Sequence, residues 1–112
     1  MILDVKKVKI AVSVPEEYLD VVRDAMCEAG CGVIGKYTHC TMSSDIIGTY
    51  FGGDDTNPFV GEKNVLMKNH EIKLEALCDI DNVKKALAAI RQVHPYEEVG
   101  VDLYPMICEE DL

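Results

Sequence analysis

No stretch of this sequence approaches the roughly 18 consecutive apolar residues that a membrane-spanning helix needs, so no membrane is expected among its partners. Basic residues are scarce: 11 Lys and Arg stand against 20 Asp and Glu, a formal net charge of -9. A surface that acidic repels a phosphate backbone, which argues against nucleic acid. Lys6 and Lys7 interrupt the N-terminus before any apolar core of a leader can form, so no secretory signal is expected. The five cysteines, Cys27, Cys31, Cys40, Cys78 and Cys108, are odd in number and irregularly spaced. That is no disulfide framework, and reduced thiols in the cytoplasm are the expectation. Cys27 and Cys31 lie four apart across Gly30. A metal or redox pair is one reading of them; a small core residue beside a loop thiol is the simpler one. C-x-x-C, H-x-x-x-H and H-E-x-x-H spacings are all absent, as are the phosphate-cradling G-x-x-x-x-G-K-[ST] and a nucleophile elbow.

Within 112 residues, 48% are hydrophobic. That supplies a core for one domain spanning 1–112 and excludes wholesale disorder. Val8, Ile10, Val12 and Val14 alternate with smaller or charged residues, the period of a strand with one buried face. Pro15 followed by Glu16 and Glu17 starts a helix. Its apolar stripe runs from Leu19 through Val22 and Met26 to Ala29, and Gly30 caps it. Val33 to Met42 reads as a second strand weakened at Gly35. Ser43 to Asn64, with four glycines and a proline, reads as a long loop packed back through Tyr50, Phe51 and Phe59. Val65 to Asp79 resumes strand alternation, Asp81 is placed to cap a second helix, and Val83, Ala86, Leu87, Ile90 and Val93 give that helix its stripe. Pro95 ends it. Val99, Val101 and Leu103 make the last strand, closed by Pro105, and 108–112 is an acidic, frayed tail.

The order β-α-β-β-α-β predicts an α+β, ferredoxin-like sandwich with two helices on one face of an antiparallel sheet. The other face would expose Lys7, Lys9, Glu71, Lys73, Glu75, Asp102 and Tyr104, to be covered by a loop or another subunit.

The densest chemical constellation is His94-Pro95-Tyr96-Glu97-Glu98, at the turn from the second helix into the last strand. A helix C-terminus favours charged His94, and imidazole with carboxylates can bind a cation or move protons. Adjacent Glu97 and Glu98 point to opposite faces in extended chain, so a rigid structural corner is the competing reading. Cys40 is expected to point inward from the second strand and His39 outward, and His70 stands alone on the third. A metal site would need His39, His70 or His94 to converge from separate elements. The glycine-rich stretch lacks a following helix, and Asp54 and Asp55 would repel phosphate. Its Asp-Asp-Thr-Asn run does not have the spacing of a calcium loop either.

Several segments together resemble one family. Tyr37-Thr38-His39-Cys40 resembles its Y-x-x-C strand, and Gly48-Thr49-Tyr50 its G-T-F element. Asn57-Pro58-Phe59-Val60-Gly61-Glu62 resembles its N-P-[YF]-[IV]-G-E element, Glu71-Ile72-Lys73-Leu74-Glu75 its E-x-[RK]-L-E strand, and His94 to Glu98 its H-P-Y-E-E corner. In this order they resemble the central inserted domain of YqfO-type, GTP-cyclohydrolase-type-2-like, dinuclear-metal proteins, over Val8 to Met106. Phe51 departs where a basic residue is usual and Val99 where proline is common, and the loop is more acidic through Asp54 and Asp55.

The resemblance implies a PII/CutA-like fold and, as in CutA-like proteins, a homo-oligomer paired through sheet edges, a trimer ahead of a dimer. The metals of the full-length family are held by flanking lobes that this chain does not include, so the resemblance carries no dimetal chemistry to it. The reading that results is a free-standing, non-catalytic binding or regulatory module. In PII-like outline, loop 45–62 responds to a small ligand or protein partner at the corner. Its candidate ligand-binding residues are His94, Tyr96, Glu97, Glu98, Asn57 and Glu62. No cofactor is required. The alternative is a CutA-like protein binding a divalent metal through His39, His70 or His94. Two lesser readings are an enzyme using His94 with Glu97 or Glu98 as an acid-base pair, and a structural subunit docking on a metal-binding partner.

Overall fold

A computed structural model describes residues 4–112. Strand β1 (Lys7–Val14) leads through a single 3-10 turn, Glu16–Tyr18, into helix α1 (Leu19–Glu28). Then come β2 (Thr41–Phe51), β3 (Leu66–Asp79), a 3-10 turn at Ile80–Asn82, helix α2 (Val83–Val93) and β4 (Val101–Met106). The sheet order is β2-β3-β1-β4 and every pairing is antiparallel. This is the ferredoxin-like topology that the sequence pattern predicts.

The alternation in β1 puts Ile10, Val12 and Val14 at 1% exposure or less, facing Val22 and Met26 of α1 and Val83, Ala86 and Ile90 of α2. From β3, Ile72, Leu74, Ala76 and Cys78 complete the layer. Gly30, at φ 111°, closes α1: its N–H donates to the Cys27 carbonyl and that of Cys31 to Met26. No described helix is long and apolar enough to cross a membrane.

Five local expectations give way. The second strand lies at Thr41–Phe51, not Val33–Met42, so residues 43–51 of the anticipated loop are strand. The reason is backbone sterics: Gly32, Gly35 and His39 all have positive φ, which a strand cannot accommodate. Residues 31–40 instead form a loop pinned at Gly32, which donates to the Leu77 carbonyl and accepts from Cys40 N–H. His39 and Cys40 are therefore in this loop. Asp81 sits inside a 3-10 turn, and no side chain caps α2. Pro105 lies within β4, which is tolerable because β4 is an edge strand with one hydrogen-bonding side free. Glu71, expected on the open face, is 9% exposed. The tail is tied down, with Cys108 buried and Lys6 Nζ 2.6 Å from Asp111 Oδ1.

β1 pairs with β3 only from Ile72 to Asp79. The remainder of β3, Leu66–Glu71, pairs with β2 alone, from Ile46 to Phe51. A two-stranded ribbon thus projects beyond the sheet, and the loop from 52 to 65 closes it.

Candidate functional site

Alternation along paired strands places Ser13, Tyr50 and Glu71 on the sheet face away from the helices. There the loop 52–65 folds back toward the corner 94–100 and encloses a cleft of about 400 Å³. The loop has an internal frame. Asn64 N–H donates to the Gly52 carbonyl at 2.6 Å, Thr56 Oγ1 to Gly53 at 2.7 Å, and Asn64 Nδ2 to Asp54 Oδ1 at 2.6 Å. Tyr50 Oη donates to the Val60 carbonyl and accepts from Asn69 Nδ2. Gly61, at φ 96°, has no room for a side chain, because a Cβ would meet Tyr50 Oη and Met67. The stretch read as one long loop is thus part strand and part a hydrogen-bonded turn system.

At the corner, His94 is 7% exposed and both ring nitrogens are engaged. Nε2–H donates to the Ser13 carbonyl at 2.7 Å, and Nδ1 accepts the Tyr96 N–H at 3.2 Å. These partners define the neutral Nε2–H tautomer. Burial lowers the His94 pKa and outweighs the Ser13 carbonyl and the Glu71 carboxylate, both of which favour charge. The helix-terminus argument for a charged imidazole therefore does not decide its state.

Tyr96 Oη donates to Glu71 Oε2 at 2.7 Å. Burial, and secondarily that bond, push the Tyr96 phenol well above its ordinary range. Gly48 makes the geometry possible, since a Cβ there would collide with Glu71 Oε1. Tyr96 packs on Phe59, which packs edge-on against Tyr18, with centroids 6.2 and 5.8 Å apart. Glu97 accepts the Asn57 N–H at 3.1 and 3.3 Å and so ties loop to corner.

The structure thus brings together Tyr96, Glu97 and Glu98 as lining residues, with Asn57 joining through its backbone. His94 supports them from behind. Glu62 is exposed and outside the lining. The His94 hydrogen bonds run to Ser13 and Tyr96, not to Glu97 or Glu98. His70 Nε2 lies 3.0 Å from Asp45 Oδ1 at the base of the ribbon, and His39 Nδ1 lies 3.1 Å from Thr38 Oγ1. Among the described residues no three His, Cys, Asp or Glu side chains gather as a metal cage. Sequence reasoning missed Glu71, Ser13 and Tyr50 as site residues. The usable signal was Gly48, but its relation to Glu71 emerges only once the β2–β3 register is known.

The fold is that of a CutA/PII-like domain of the ferredoxin-like class. CutA from Archaeoglobus fulgidus, a periplasmic divalent cation tolerance protein, superposes with TM-score 0.69 at 11% identity, covering 95% of this chain and 91% of that one. Within that class the chain is homologous to the GTP cyclohydrolase 1 type 2 homologs, the YqfO-type, NIF3-related proteins. The Bacillus subtilis protein of that name is 44% identical over 98 residues, 88% of this chain and 26% of the relative. A Bacillus cereus protein related to NIF3 superposes with TM-score 0.79 at 34% identity, over 93% of this chain and 26% of that structure. The chain therefore spans about a quarter of these relatives. No family model matches it.

Proposed function

We propose that this domain is a non-catalytic, self-associating binding module in which a ligand occupies the cleft and is read out by the loop 52–62. One observation carries the reading: the roof of the cleft is fastened to the corner through Glu97 and the Asn57 amide. A ligand entering beside Glu97 must either reinforce or replace that fastening, so occupancy changes the order of the loop. The neutral, doubly engaged His94 supports a scaffold role rather than acid-base work. Unpaired cysteines fit a reducing, cytoplasmic setting.

The test is a thermal-shift panel of divalent metals, nucleotides and organic ions, followed by amide exchange on any that bind. A cleft ligand raises the melting temperature and alters exchange across 52–62. A panel that moves neither overturns the reading.

The divalent-metal alternative draws on the likeness to CutA and on the His70–Asp45 pair. Metal analysis of untagged protein decides it: about one ion per chain supports a site, and a value near zero removes it.

A further inference from the structure

We propose that the cleft takes a small organic cation, an ammonium group carried on an apolar body. This rests on the reading of the cleft as a ligand site and names the chemistry of its occupant.

Three carboxylates, Glu71, Glu97 and Glu98, line the cleft, and no Lys or Arg does. Four aromatic residues, Tyr50, Phe51, Phe59 and Tyr96, stand among its other walls, beside small and aliphatic residues such as Thr49, Pro58 and Val60. Glu71 is the most telling of these. It is 9% exposed, it accepts its hydrogen bond from a neutral phenol, and no ion pair among the described residues includes it. A buried carboxylate without a counter-charge gains most from a cation delivered beside it.

The alternatives fit less well. An anion, including a nucleotide phosphate, meets negative charge and no cationic partner. A neutral apolar guest would deepen the burial of Glu71 without compensating it. A bare divalent ion needs several oxygens converging on one point, and the described residues hold no such cage. An organic ammonium matches both halves of the lining. Its charge pairs with Glu71 and the two corner glutamates, and its face and body pack on the rings, where a cation is attracted by the π quadrupole. A cleft of about 400 Å³ has room for such a molecule.

Three probes share one aryl group and differ in charge: benzyltrimethylammonium, benzyl alcohol and benzoate. Each is titrated into the full chain and followed by amide chemical shifts. The cation is expected to shift Tyr96, Glu97 and the loop 52–62 saturably, at least about tenfold more tightly than the alcohol, with benzoate silent. Glu71→Gln should weaken the cation by about tenfold and leave the alcohol unchanged. Glu98→Gln, at an exposed position whose folding is not at stake, should weaken the cation in the same direction. If the alcohol or benzoate binds as tightly as the cation, the inference falls while the cleft stands as a ligand site. If none of the three moves a cleft resonance, the inference also falls, and the wider panel above then decides the cleft itself.

Discussion

A carboxylate with 9% exposure and a phenol for its donor depends on both of its close neighbours. Tyr96→Phe leaves Glu71 Oε2 without that donor, and such losses cost about 1–3 kcal/mol. Urea denaturation should show a loss in that range with the slope unchanged. Gly48→Ala drives a methyl into Glu71 Oε1 and should be destabilising by a similar amount. In a Glu71→Ala background most of that cost should vanish, because the two changes share one contact. Additive costs would show that Glu71 does not lie over Gly48. His94 gives a pH signature. Its folded pKa is lowered by burial, so between the folded and unfolded values the unfolded chain binds more protons. Stability is therefore fully present above the unfolded value of about 6.5 and declines as pH falls through it. Denaturation free energies at about pH 7.5 and pH 5.5 should differ more in the wild type than in His94→Gln.

Among the elements, the loop 52–65 shows why some of the site was legible and some was not. Tyr50 and Phe59 were readable as residues that pack back, and the two pack where glycine-rich chain must return to the body. The strand within Ser43–Phe51 was not readable, because its burial pattern has no buried face: β2 is an edge strand half outside the sheet. Conversely, Val33–Met42 read as a strand weakened at Gly35, where positive φ at Gly35 and His39 forbids one. The helices and β1 were legible because one face of each is fully buried, as Val22, Ile90 and Ile10 show at 0% exposure. Ile90→Ala should accordingly cost about 2–5 kcal/mol, measured by chemical denaturation. Glu97→Ala leaves the core alone and releases the loop. Exchange at the Asn57 amide should rise about five- to tenfold, the loss of one net hydrogen bond.

The molecule as a whole is longer than its size requires. Its radius of gyration is 15.3 Å and its longest extent 48 Å, against about 13 Å expected for a compact domain of this length. The projecting β2–β3 ribbon accounts for the excess. On its helix-side face, past the end of the helices, Phe51 and Leu66 pair at 62% and 66% exposure, and Ile47, at 68%, lies further along the same face. A two-stranded ribbon is marginal by itself in water, and apolar strips of this kind are normally covered. Another copy of the chain is the occupant expected from the proposed self-association. Ile47→Asp with Leu66→Asp puts charge on that strip without touching the buried layer or the cleft lining. Light scattering should then give an oligomer, a trimer ahead of a dimer, for the wild type and a folded monomer for the double variant. A wild type that is monomeric at about 100 μM, well above the weak end of specific association, would show that the ribbon stands alone and that the module does not self-associate.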